Sequence, residues 1–144
     1  MNPLNEKSSE IPEGRCRVTT FVEMVFPDQA NHYGTLYGGN ALGILGKAAF
    51  VTATRFARRS VVMAASERVE FQTPVRLGQM LELTGRVVRV GRSSMTVEVE
   101  GVAETLPGGA RTPALRGRFE MVAVDDAGRP RAILVEIGRA SCRE

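Results

Sequence analysis

One long helical pattern followed only by segments of period two is the feature that most limits how this chain can fold. In residues 40–58 Leu42, Leu45, Ala49, Ala53 and Phe56 recur at steps of three and four, which puts them on one face of a helix. The other side carries Gly43, Ile44, Gly46 and Ala48, so the helix is too apolar to lie on a surface. Before it, residues 16–26, "CRVTTFVEMVF", read as a strand. After it come strands at 61–72, 80–90 and in "SSMTVEVEGV", where Met95, Val97 and Val99 face one way and Thr96, Glu98 and Glu100 the other. A last strand spans 114–124, between the turns "LPGGARTP" and "DDAGRP". The expectation is an α+β fold, one antiparallel sheet of five to six strands wrapped around one long central helix. Such a sheet leaves edges and an unfilled face, which predicts dimerisation.

The 144 residues suit one domain, expected at 15–135 behind a polar arm at 1–14. The tail 136–144 breaks the pattern and is read as a non-native or disordered extension, so Cys142 receives no role. The other cysteine, Cys16, is far away in sequence, and the pair is read as two thiols rather than a disulfide scaffold. The first residues carry no mark of a secretory signal and no apolar run approaches a membrane span, which predicts a cytoplasmic protein. A net charge of +3 is too mild for a dedicated nucleic-acid binder, though it suits an anionic small ligand.

The chemistry is concentrated in "NHYGTLYGGNAL", residues 31–42. The helix is expected to begin near Asn40. Its first amides lack intrahelical acceptors and carry partial positive charge. Gly38 and Gly39 have no side chains, so a ligand can approach those amides closely. The plainer alternative is a tight turn. His32 is the only histidine and reads as a loop residue. Arg92, Ser93 and Ser94 follow Gly91 at a bend, where a guanidinium and two hydroxyls suit a phosphate; a solvated turn is the rival reading.

Four stretches in order resemble the acyl-CoA thioesterases of the hot-dog fold, in the branch of the broad-specificity bacterial and long-chain cytosolic enzymes. They are "PDQANHYGTLYGGNAL", "VVMAASERVEFQTPVRLGQMLEL", "VGRSSMTVEVE" and "FEMVAVDDAGRP", together covering about residues 17–131. The resemblance implies a homodimer with sheets joined edge to edge, a further hexamer, and active sites shared between subunits. It implies hydrolysis of acyl-CoA to fatty acid and CoA, with no metal or redox cofactor, and no nucleic-acid or membrane partner. It places Gly38 and Gly39 at the thioester carbonyl and Asn31 at the thioester or the attacking water; a side chain that stabilises the loop by bonding nearby backbone is the other reading of Asn31, and the two can coexist. It points to Arg92, Ser93 and Ser94 as contacts to the CoA phosphates. Beside it, Tyr33 and Tyr37 are candidates to line the acyl or pantetheine channel, with core packing as the rival reading, and Thr35 is a candidate substrate contact.

One position departs from that family. Its members carry an acidic residue within the helix beyond the glycines, and here that position is Gly46, followed by Lys47. Glu67, which matches an acidic family position on the next strand, is the candidate replacement, with a structural carboxylate as the rival reading. Asp28 is a third carboxylate, more in keeping with a turn. The missing acid also leaves open a CoA or acyl-CoA binder with little or no turnover.

Overall fold

The computed structural model describes residues 15–133. The expected arm at 1–14, the tail at 136–144 and Cys142 lie outside them. The elements run β1 (Val18–Met24), a 3-10 turn (Pro27–Gln29), α1 (Gly38–Ala57), β2 (Val61–Phe71), β3 (Met80–Val90), β4 (Ser94–Glu104) and β5 (Arg111–Ala123). The strands form one five-stranded sheet in the order β1-β3-β4-β5-β2, antiparallel throughout. Helix α1 lies across one face and touches all five strands. The helix starts two residues earlier than the sequence predicts, so Gly38 and Gly39 form its first turn rather than the loop before it. None of the helices is long and apolar enough to cross a membrane among the described residues.

The core is the contact between α1 and the sheet. Leu45, Ala49, Ala53 and Phe56 are fully buried, as their spacing predicts. They meet Leu81, Leu83, Val97, Val99 and Met121, the inward positions of β3, β4 and β5. Helix and sheet approach closely where Thr52 crosses β3. A Cβ added at Gly85 would lie 2.1 Å from Thr52 Oγ1, so only glycine lets the helix descend this far. The Thr52 hydroxyl is itself satisfied, donating to the Ala48 carbonyl at 2.7 Å.

Two expectations of burial change. Leu42 does not join the buried stripe; it is 47% exposed. It shares an outward face with Gly43, Lys47 and Phe50, so a single chain covers only part of its helix. Thr96 is buried although it alternates with Met95 and Val97. Its hydroxyl bonds the Glu120 carboxylate at 2.6 Å and accepts from Arg89 Nε at 3.3 Å. A satisfied hydroxyl costs little to bury.

The helix ends in Arg58, whose positive φ of 56° closes the last turn, with its N–H donating to the Thr54 carbonyl. Arg15 adds a cap that sequence reading did not single out, donating to the carbonyl of Phe56 at 2.8 Å. Its pKa is lowered by burial first and then by the neighbouring charges of Arg59 and Arg58. Arg55 turns back instead to Thr19 and Cys16.

Strand β2 is the edge beside β5 and is exposed over most of its length. Its pairing slips twice, between Met63 and Ala65 and between Glu67 and Glu70, and Arg68 takes φ 53° in the second bulge. Val62, Met63 and Phe71 are apolar and exposed along it.

The Gly85–Thr52 crossing is testable. Gly85→Ala should lower the unfolding free energy by about 1–3 kcal/mol, because the helix must lift to admit one methyl. Urea unfolding followed by circular dichroism measures it, and the double variant Gly85→Ala, Thr52→Ala should recover part of the loss.

Candidate active site at the helix N-terminus

Asn31 organises the loop that leads into α1. Its Oδ1 accepts from the amides of Tyr33 (2.9 Å) and Thr35 (3.2 Å) and from the Thr35 hydroxyl (3.2 Å). Its own amide donates to the Thr35 carbonyl, and Gly34 closes the turn with φ 77°. The loop is pinned to the segment after β2 by Leu36 N–H to Val75 O (2.7 Å) and Leu77 N–H to Gly34 O (2.8 Å). Asn40 Nδ2 and the Tyr37 amide both donate to the Gln29 carbonyl. Asn31 thus holds the loop through its oxygen and keeps its Nδ2 donor available, with no bond to it among the described residues.

The first intrahelical bond runs from Ala41 N–H to Tyr37 O. The amides of Gly38, Gly39 and Asn40 precede it, no side chain caps them, and the first turn holds no acidic residue. The positive end of a 20-residue helix is therefore left uncompensated. The two glycines are not equivalent. A Cβ at Gly38 would meet nothing within 4 Å, whereas one at Gly39 would lie 2.6 Å from the Tyr37 ring. Gly38 is the open approach; Gly39 is small because Tyr37 folds over it. Beside Gly38 opens a cavity of about 180 Å³ walled by Leu36, Ala41, Phe71, Pro74, Val75 and Leu115, with Thr73 the one polar side chain in its lining.

The structure gathers Asn31, Thr35, Gly38 and Gly39 at this end and leaves other expected residues apart. The Tyr33 side chain points out, 77% exposed, with its ring 3.9 Å from that of His32, so it lines no cavity here. Glu67 faces the wrong way. It stands opposite Arg118, and cross-strand partners share a sheet face. That face is the outer one, away from α1, where Arg118 binds Glu98 and Arg116 binds Glu70. The Arg118 guanidinium is shifted upward, first by its hydrogen bond to Glu98 and more weakly by the charge of Glu67. Within one chain Glu67 is thus a surface carboxylate, and it does not replace an acid at Gly46.

Arg92, Ser93 and Ser94 sit at the opposite end of the molecule. The Ser93 carbonyl accepts from Ala123, which pairs with Val61 just after the helix ends. A helix of 20 residues, about 30 Å, separates them from Gly38. Within one chain they share no site with the glycines. Sequence reading missed the cavity walls, because Leu36 and Ala41, Val75, and Leu115 come from three separate segments. It also missed that Met63 of β2 covers Gly46: a Cβ there would lie 3.4 Å from Met63 Cε.

The chain matches the thioesterase superfamily over residues 33–110. It is 37% identical over 107 residues to an uncharacterised acyl-CoA thioester hydrolase of Zymomonas mobilis, covering 74% of this chain and 72% of that protein. Among solved structures, an apo-hexameric acyl-CoA thioesterase superposes with a TM-score of 0.78 at 36% identity, over 81% of this chain and 74% of the other. The acyl-CoA hydrolase of Staphylococcus aureus, solved with butyryl-CoA and CoA, gives 0.76 at 29% identity over 81% and 71%. That enzyme has also been solved with one asparagine, one aspartate or one threonine replaced by alanine.

The difference between the two glycines can be measured. Gly38→Ala should raise stability by about 0.4–1 kcal/mol, since a helical position with open space gains from a less flexible unfolded chain. Gly39→Ala should give no such gain until Tyr37 is also replaced by alanine. Thermal unfolding of the three variants tests this.

Proposed function

The chain belongs to the thioesterase superfamily, and from that premise we propose that it hydrolyses acyl-CoA thioesters to a carboxylic acid and CoA. One observation carries the reading to this site: an uncapped, uncompensated helix N-terminus opens directly beside an apolar cavity. The two halves match the two halves of a thioester. The carbonyl oxygen meets the amides at Gly38 and Gly39, and the acyl chain enters the cavity. Water adds to the carbonyl carbon, and the oxygen gains a negative charge that the amides stabilise more strongly than the starting carbonyl. The C–S bond then breaks, and the proton that water gives up ends on the CoA sulfur. Asn31 Nδ2 supplies a further donor to the oxyanion or to the water. The relatives above are hydrolases by name, which favours turnover over binding alone.

The S. aureus variants bear on the missing acid. Stepping from Asn31 by the sequence intervals that separate its replaced asparagine, aspartate and threonine leads here to Gly46 and Met63. A side chain added at Gly46 would come within van der Waals distance of the Met63 methyl. On this reading both polar groups are replaced together, by a hydrogen and a thioether side by side.

The working unit is an oligomer. The β2 edge, with Val62 and Met63, and the outward stripe of α1, with Leu42 and Phe50, are apolar surfaces that a single chain leaves uncovered. A homodimer joined at these edges and assembled into a hexamer fits them. It would also let the Arg92–Ser94 turn of one subunit serve the CoA phosphates of a site in another.

Thiol release from acyl-CoA tests the reading. Asn31→Asp keeps an acceptor for the three loop bonds and removes the N–H donor. It should lower kcat by about 100-fold with little change in melting temperature. Release unchanged in this variant would remove Asn31 from the chemistry. Gly46→Asp, alone and with Met63→Thr, should raise kcat by about 100-fold or more, the usual contribution of a positioned base. The added Cβ meets only the flexible tip of Met63, so the fold should tolerate it.

A further inference from the structure

The outer face of the sheet carries a charge pattern that the candidate active site does not use. Register puts Arg86 of β3, Glu98 of β4, Arg118 of β5 and Glu67 of β2 side by side in one row. In the next row Glu100, Arg116 and Glu70 stand on β4, β5 and β2. Cross-strand partners share a face, so these side chains stand together away from α1. Within these rows charge alternates strand by strand, basic on β3, acidic on β4, basic on β5 and acidic on β2. One chain satisfies only part of the pattern. Arg118 pairs with Glu98 and Arg116 with Glu70, whereas Arg86 and Glu100 make no ion pair among the described residues. A depression of about 380 Å³ opens in this face, lined in part by Arg68, Glu98, Glu100, Arg116 and Arg118.

We propose that this face is a second interface between copies of the chain, packed about a two-fold axis that runs along the strands between β4 and β5. That rotation exchanges β4 with β5 and β3 with β2, and keeps each row at its own level. Arg86 then meets Glu67 of the partner subunit, Glu98 meets Arg118 of the partner subunit, and Glu100 meets Arg116 of the partner subunit, each contact occurring twice. A patch that complements itself in this way is what an isologous contact requires, whereas a foreign partner would need no such symmetry. Packed sheets lie about 10 Å apart, a gap that arginine and glutamate side chains reach across from both sides. The unpaired Arg86 and Glu100 gain partners, and the depression gives the incoming side chains room. The face lies opposite α1 and leaves the free edge of β2 open, so it can join dimers formed at that edge. It stands independently of the hydrolase reading.

The test is the assembly mass by analytical ultracentrifugation at low ionic strength, for the unaltered protein, Glu100→Arg and Arg116→Glu. Each single substitution sets like charges against each other at both copies of one contact. It should weaken association by about 100-fold or more, so that the variant sediments as a smaller assembly. Mixed in equal amounts, the two variants bring opposite charges together at both contacts, and the mass should return to that of the unaltered protein. Such rescue needs contact between chains, which a role inside one chain does not supply. Circular dichroism checks that each variant folds; if either does not, Arg86→Glu and Glu67→Arg make the same comparison. Single variants that stop at two chains would support this face as the join between dimers. A fall to one chain would support this face and overturn the dimer at the β2 edge. Variants that keep the mass of the unaltered protein, or a mixture that stays small, would overturn the proposal.

Discussion

The close approach of one helix to one sheet governs this molecule. Thr52 sits where a side chain on Gly85 would have to be, and the small residues Ala41, Ala48, Ala49 and Ala53 let the rest of α1 follow. Close packing of this kind is intolerant of added volume. It therefore fixes the helix in position and along its axis. The N-terminal amides are held against the loop at Asn31 and the segment at Val75, and the C-terminal turn is held against Arg15 and the strand at Val61. A rigid dipole delivered to a defined place is what an oxyanion site requires.

The same economy leaves the protein unfinished as a single chain. One helix covers the inner face of five strands but cannot cover itself, so Leu42 and Phe50 face outward. The β2 edge beside them carries Val62 and Met63 and blunts its pairing with two bulges rather than with charge alone. The groups proposed to bind a CoA ester are also divided, with amides and cavity at one end and the Arg92–Ser94 turn a helix length away. Incomplete burial and a divided site call for the same remedy, a second copy. Gly46 and the Met63 methyl beside it lie on this uncovered side.

Much of this was legible because it is local. The period of α1, the alternation at Met95, Val97 and Val99, and the turn residues between strands gave the element order, with ends that shift by a few residues. The resemblance carried by "PDQANHYGTLYGGNAL" pointed to the glycines and to Asn31. It could not say that Gly39 lies beneath Tyr37 while Gly38 stays open, since a ring packed over a backbone is a matter of side-chain placement. Glu67 lies on the outer face of its own chain for a related reason. A strand's two faces are set by its register, and two bulges in β2 decide which face each residue takes.

By itself, then, the sequence determined the helix, the strands and their order, and the chemistry of the loop, all of which depend on residues near one another in the chain. Only the tertiary structure decided which groups meet. Leu36, Ala41, Val75 and Leu115 become the walls of one pocket, Met63 comes to cover Gly46, and Glu67 turns to the outer face. These relations come from pairing register and from the depth at which the helix packs, and neither is written in any single stretch of residues.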